Sequence, residues 1–306
     1  MKKKLSRNSA KILITGCHGF IGNNLSIFLK KKKFNSYGIG NSRKNTTNNN
    51  SHCMKTIDGK ITEGKIKKFK IKFDFAVHCA GSGKVGLSIK NDYYKNINST
   101  MGLLEYARLH NPKLKIILLS SAAVYGNNKK KFSEKTKINP ISTYGKNKHL
   151  AEKKCFAYSK KFKLDIVILR LTSIFGEGLN KQLIFEACEK INNNQYVFSG
   201  TGNEKRDWLH ISDLNILIHK IIKKKIDGLH IYNCGSGKQH KVKDVVKYIS
   251  KKMGNKITPE FNNQGLDNNP SSNLVSINKL KEFDWKPKKN FWKELSDYVN
   301  WYKSKK

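Results

Sequence analysis

Acidic residues are scarce in this sequence: 22 Asp and Glu stand against 61 Lys and Arg, giving a formal net charge of +39. Arginine is scarcer still, confined to Arg7, Arg43, Arg108, Arg170 and Arg206. A protein that reads nucleic acid draws on arginine for bidentate contacts to guanine and phosphate, with exposed aromatics between for stacking. The excess here is lysine, raised together with asparagine in runs such as Lys30–Lys33 and Asn48–Asn50. Both residues have A/T-rich codons, so coding bias explains the excess without a basic functional surface. No nucleic-acid partner is expected, although the charge still steers small anions. No run approaches the roughly 18 apolar residues of a membrane span, and no apolar segment follows Met1–Lys4 as a signal peptide requires. The six cysteines (Cys17, Cys53, Cys79, Cys155, Cys188, Cys234) form no C-x-x-C and stand at no metal-ligand spacing with histidine. That argues against a zinc site and for a reducing compartment. A cytoplasmic protein without membrane or metal is expected.

What is present is an apolar fraction of 38% over 306 residues, enough to bury a large core. Short apolar runs alternate with amphipathic ones, the pattern of βαβ units around a parallel sheet. Strands are predicted at Lys11–Thr15, Ser36–Gly40, Phe75–Cys79, Lys115–Ser120 and Asp165–Leu171. Helices are predicted at Ile21–Lys31, Ser99–His110, Thr143–Lys161 and, at the tail, Phe291–Lys303. Asn- and Lys-rich stretches at 41–51, 127–139 and 262–273 read as surface loops. The expected architecture is α/β, a Rossmann-type doubly wound parallel sheet over residues 1–175. A smaller C-terminal substrate-binding lobe takes residues 176–306, with segments returning to the first domain.

The first strand runs into Gly16-Cys17-His18-Gly19-Phe20-Ile21-Gly22, and a helical pattern follows. Glycines at this spacing permit a tight turn and close backbone approach to a pyrophosphate at the positive end of the helix dipole. A dinucleotide is the expected ligand, with Gly16, Gly19, Phe20, Ile21 and Gly22 around it. After the second strand an NAD-selective site presents Asp or Glu to the ribose 2′-hydroxyl. This chain has Asn41, Ser42 and Arg43 there, so NAD and NADP both stay open.

Tyr144 and Lys148 stand at i and i+4 and share one face of a helix beginning after Pro140. A phenol of pKa ~10 is a poor base at neutral pH. A nearby ammonium favours the phenolate, which fits Tyr144 for proton exchange with a sugar hydroxyl or ketone. Lys148 is also placed to hold the nicotinamide ribose. Upstream, a strand ends in Ser120-Ser121, whose hydroxyls can reach the same substrate oxygen. Ser120 is expected to cap the strand end and Ser121 to serve the chemistry.

Together these residues resemble the extended short-chain dehydrogenase/reductase family, in its branch of nucleotide-sugar epimerases, dehydratases and reductases. The resemblance runs almost end to end. Val77-His78-Cys79-Ala80-Gly81 is similar to the family strand that backs the cofactor, and Asn96-Ile97-Asn98-Ser99-Thr100 to its Asn-centred helix start. Residues 168–176 resemble the strand and loop that begin the sugar-nucleotide site. Arg206-Asp207-Trp208-Leu209-His210 resembles the segment whose arginine meets the substrate diphosphate. Tyr232–Gly237 and Trp285-Lys286-Pro287 also match. The resemblance implies a catalytic set of Ser121, Tyr144 and Lys148. It adds Ala80, Gly81 and Asn96 to the cofactor contacts, and gives Ser121, Ser173 and Arg206 to the substrate. A forked guanidinium suits a diphosphate; an ion pair with Asp207 is the plainer alternative for Arg206. His210 and Asp213 are expected to be structural.

Departures narrow the reaction. Family dehydratases carry an Asp-Glu pair after the catalytic hydroxyl, where this chain has Ala122 and Ala123, so dehydration is not expected. The substrate-loop asparagine is replaced by Ser173. The leading expectation is 4-epimerisation of a UDP-hexose through a transient 4-keto sugar. An NADPH-dependent 4-ketoreductase of a nucleotide deoxysugar is the alternative, and a non-catalytic basic scaffold the third reading. A homodimer through the helices at 99–110 and 143–161 is typical of relatives.

Overall fold

The computed structural model describes residues 10–41, 52–81, 93–127, 131–255, 257–265 and 270–306. Seven strands form the central sheet: β1 (Lys11–Thr15), β2 (Asn35–Gly40), β3 (Lys55–Asp58), β4 (Phe75–His78), β5 (Lys115–Ser121), β6 (Ile166–Leu171) and β7 (Leu229–Cys234). Their spatial order is β7-β6-β5-β4-β1-β2-β3, and the strands run parallel, with β1 in register with both β2 and β4. This is a doubly wound, Rossmann-type order. Sequence order reverses between β1 and β4, and a ligand crevice opens outside the carboxyl ends of strands at such a point.

The helices are α1 (Phe20–Lys31), α2 (Glu63–Lys67), α3 (Ser99–His110), α4 (Thr143–Phe162), α5 (Gln182–Asn192), α6 (Ile211–Lys223), α7 (Val242–Lys252) and α8 (Phe291–Lys303). The inner strands are apolar because a parallel sheet is covered on both faces: every residue of β6 is buried. β3 lies at the edge, and its Lys-Thr-Ile-Asp is largely exposed. Helix α1 turns Gly22, Leu25, Ser26 and Leu29 inward at helical spacing and ends in Lys30 and Lys31, which suit the negative end of its dipole.

The chain divides into two compact units, each drawn from three segments. The first comprises 1–120, 146–170 and 215–232, and the second 121–145, 171–214 and 233–306. The first unit holds the body of the sheet around a core that includes Leu13, Ile39, Phe73, Leu104, Ile116 and Ile168. Among the described residues the second contains three short strand pairs, including Ser173–Phe175 parallel with Trp208–His210 and Lys205–Arg206 antiparallel with His240–Lys241. Its aromatic stack of Trp208, Phe291 and His240 has ring centroids 4.2 to 5.3 Å apart. Among the described residues no helix is long and apolar enough to cross a membrane, and no cluster of His, Cys, Asp and Glu could hold a metal ion.

Candidate active site

In the first unit the chain leaves β1 through Gly16, whose φ of +69° favours glycine. Its N–H donates to Ile39 O at 2.7 Å. A Cβ on Gly16 would lie 2.8 Å from Ala80 N, and one on Gly22 only 2.3 Å from Gly16 O. The loop therefore closes so tightly on the end of β4 and on the first turn of α1 that neither position accepts a side chain. Gly19 is the N-cap of α1. No side chain caps the helix and no acid enters its first turn, which leaves backbone N–H groups and the dipole facing outward for an anion. His18 Nδ1 and Asn23 Oδ1 are buried here without a hydrogen-bond partner in the chain. Phe20 and Ile21 are half-buried in the first turn, and Asn41 is exposed after β2. Ser42 and Arg43 fall outside the described residues.

Beneath the loop, a hydrogen-bonded chain ties β1, β4 and α3 together. Thr100 Oγ1 donates to Asn96 O at 2.7 Å, so toward His78 Nε2, 3.2 Å away, it accepts. His78 Nδ1 is then the acceptor for the Thr15 hydroxyl at 2.8 Å, and Thr15 Oγ1 in turn accepts from Ala80 N. Burial, with the Lys148 charge as a lesser cause, lowers the His78 pKa to about 3, so the ring stays neutral and its tautomer fixed. Asn96 lies in a π-helical turn, Tyr94–Asn98, that leads into α3. Such turns concentrate at functional sites. A Cβ on Gly81 would sit 2.8 Å from Asn96 Oδ1 and 3.1 Å from Lys148 Nζ. The carboxamide and the ammonium thus converge on a backbone kept bare at the end of β4.

Lys148 is buried on α4 and donates to Leu119 O at 2.9 Å. One turn further, Glu152 is fully buried. It accepts from Arg170 Nε at 3.0 Å, from an Arg170 terminal nitrogen at 2.7 Å and from Ser120 Oγ at 2.6 Å. Ser120 is therefore not the strand-end cap expected of it: its hydroxyl points inward to orient a buried carboxylate. The cap belongs to Ser121, whose Oγ accepts from Ala123 N at 3.1 Å and starts a 3-10 turn over Ala122–Tyr125.

That turn lies in the second unit, as does the start of α4. A Cβ on Gly145 would meet Ala123 O at 2.5 Å, so the turn capped by Ser121 packs against the helix end that carries half-buried Tyr144. Tyr144 and Lys148 both lie on α4, four residues apart. Ser173 is half-buried, and its N–H donates to Asp207 O at 3.1 Å. Burial lowers the Arg206 pKa to about 10, with Glu204 opposing that shift. The buried Asp207 carboxylate accepts from Ser236 N at 2.7 Å, Ser236 Oγ at 2.8 Å and Gly237 N at 3.0 Å. Burial outweighs these bonds and raises its pKa to about 6. Asp213 accepts from the N–H groups of Lys288 and Lys289, and its carbonyl from Trp285 Nε1. His210 packs edge-on to Phe175 and reaches Glu294 at 3.4 Å. Both play structural parts.

Glu152 and Arg170 were missed from sequence. The one available signal was Glu152 falling four residues after Lys148 on the same helix face, and nothing paired it with a strand residue 18 positions on.

Residues 12–235 match the model of the NAD dependent epimerase/dehydratase family. A relative in Bacillus subtilis (strain 168), named as the uncharacterised UDP-glucose epimerase YtcB, is 30% identical over 89% of this chain and 91% of its own. Two solved structures superpose over nearly the whole length. The UDP-glucuronic acid 4-epimerase of Bacillus cereus, in complex with UDP-glucuronic acid and NAD, has a TM-score of 0.84 at 26% identity, covering 95% of this chain and 99% of that one. The dTDP-glucose 4,6-dehydratase of Bacillus anthracis, in complex with NAD, has a TM-score of 0.85 at 26% identity, covering 97% of each.

Proposed function

The chain belongs to the NAD dependent epimerase/dehydratase family, and on that premise we propose that it is a nucleotide-sugar 4-epimerase, inverting C4 of a UDP-hexose through a transient 4-keto sugar. The observation that carries this reading is the bare cradle at Gly16, Gly22 and Gly81 beside the buried ammonium of Lys148. It fits a dinucleotide: the glycine loop and the uncapped start of α1 take the pyrophosphate, with Phe20, Ile21 and Ala80 around it. Asn96 and Lys148 hold the nicotinamide end. Asn41 meets the adenosine ribose, and NAD and NADP are both candidates. When bound, the cofactor supplies a reversible hydride acceptor.

The chain's own residues handle protons and position. Tyr144 removes the proton of the C4 hydroxyl and returns one to the same oxygen. The Lys148 charge, one helical turn away, favours the phenolate that this requires. Ser121 donates a hydrogen bond to that oxygen as charge develops on it. Ser173 lines the sugar-nucleotide loop, and Arg206 forks onto the diphosphate. Ala122 and Ala123 follow Ser121 with methyl side chains that neither give nor take a proton, so water elimination has no side-chain acid or base there. Exposed Leu109 on α3 and Phe156 on α4 support a homodimer through these two helices, and we place the protein in the cytoplasm.

Purified enzyme given UDP-glucose and no added cofactor should form the 4-epimer. Tyr144→Phe should keep nicotinamide binding and lose turnover by at least about 100-fold. Full activity of that variant would refute the role of Tyr144. Turnover that consumes NADPH stoichiometrically with a keto sugar would replace the epimerase reading by the reductase.

A further inference from the structure

Three sulfurs gather in the first unit with no part in the chemistry above. Gly38 lies inside β2, and a Cβ there would stand 2.7 Å from Cys17 Sγ and 3.1 Å from Cys53 Sγ. Both sulfurs crowd the single volume that the missing side chain vacates, so the glycine is what lets them approach. Cys79 is close enough for its thiol to feel both of them. Cys17 is fully buried inside the glycine loop, whereas Cys53 is only half-buried. The segment carrying Cys53 is pinned in place: His52 N donates to Ser26 Oγ at 3.1 Å on α1, and Met54 N to Ser36 O at 2.8 Å on β2.

We propose that Cys17 and Cys53 form a thiol–disulfide site that controls how tightly the glycine loop holds its dinucleotide. The proposal rests on the cofactor reading above. Solvent reaches Cys53, whose thiolate attacks a low-molecular-weight disulfide such as glutathione disulfide and releases one thiol. The Cys17 thiolate then attacks Cys53 Sγ and expels the second thiol. The two cysteines lose two protons and two electrons, and the small disulfide takes them up as two thiols. Burial pushes the Cys79 thiol well up. A disulfide draws its Cβ atoms to about 3.8 Å, and Cys17 sits between Gly16 and His18. Drawing the Cys17 Cβ toward Cys53 displaces the backbone at Cys17, and with it the N–H groups that face the pyrophosphate. Gly16 has no slack to absorb that movement, being closed against Ala80.

The test equilibrates the full-length protein in glutathione buffers from reducing to oxidising. Peptide mapping by mass reads the cross-link, and calorimetry reads NAD and NADP affinity in each state. A loss of about 2 Da, a peptide joining Cys17 to Cys53, and affinity weakened at least about tenfold and restored by dithiothreitol are expected. Cys53→Ser and Cys53→Ala should keep the reduced-state affinity in every buffer. Absence of that peptide, or its formation with affinity unchanged, overturns the proposal. A reduced protein that binds neither NAD nor NADP instead counts against the cofactor reading, while the cross-linked peptide, read by mass alone, still decides the thiol pair.

Discussion

Replacing Arg170 with methionine would strand the Glu152 carboxylate in the interior. The glutamate side chain is 0% exposed and the arginine 4%. Of the donors that hold the carboxylate, Arg170 supplies the contacts at 3.0 and 2.7 Å and Ser120 the one at 2.6 Å. Taking two charges out of water costs several kcal/mol each, and only the pairing offsets it. Removing one partner leaves the other uncompensated, at a cost of roughly 3–5 kcal/mol, a large part of the 5–15 kcal/mol that typically holds a domain folded. The double variant Glu152→Met with Arg170→Met has no stranded charge. It should lie within about 2 kcal/mol of wild type, since the remaining loss is the Ser120 hydroxyl left without its acceptor, about 1–3 kcal/mol, partly offset by apolar packing. Urea unfolding of wild type, the single variants Arg170→Met and Glu152→Met, and the double variant, followed by circular dichroism and tryptophan fluorescence, gives the cycle. The Arg170→Met variant losing less than about 1 kcal/mol, or losses that simply add, would refute the view that this pair is an interdependent buried unit.

Gly22→Ala would drive a Cβ to 2.3 Å from Gly16 O. NAD affinity should drop at least about tenfold with the circular dichroism spectrum unchanged; equilibrium dialysis showing normal affinity would remove the loop from the cofactor site. The pKa of Asp207, about 6 when folded against an ordinary 3.8, makes the folded state hold a proton that the unfolded chain has already released. Its burial thus costs stability above pH 6, and that cost is relieved as the pH falls toward 4. Relative to Asp207→Asn, wild type should gain up to about 3 kcal/mol between pH 7 and pH 4. A flat difference in unfolding free energy across that range would contradict it.

The sheet's inner strands were legible because burial on both faces demands unbroken apolar runs: Lys11–Thr15 appears with the expected bounds, and the strand expected at Asp165–Leu171 begins one residue later. The edge strand Lys55–Asp58 was not, since an exposed edge imposes no apolar pattern. Helix α7 did carry a signal. Val242, Val245, Val246 and Ile249 are buried at helical spacing, but β-branched residues blur helix with strand. At the site, the glycine loop and the Tyr144/Lys148 spacing are local patterns and could be read. The inward turn of Ser120 could not, because its partner Glu152 is 32 residues away and only the closed fold brings them together. The thiol pair was invisible for the same reason, since 36 positions separate Cys17 from Cys53 in the sequence.

The strand order also sets a timetable for the nascent chain. β1, made first, ends up inside the sheet, with β2 and β3 added on one side and β4, β5 and β6 on the other. Every residue of β6 but Arg170 is apolar, yet its outer neighbour β7 is not translated until Leu229–Cys234 leaves the ribosome. For the whole of that interval the outer edge of β6 stays unpaired, where it can recruit another copy or a chaperone. Synthesis of this chain is therefore most exposed to aggregation late, before the segment 215–232 completes the first unit.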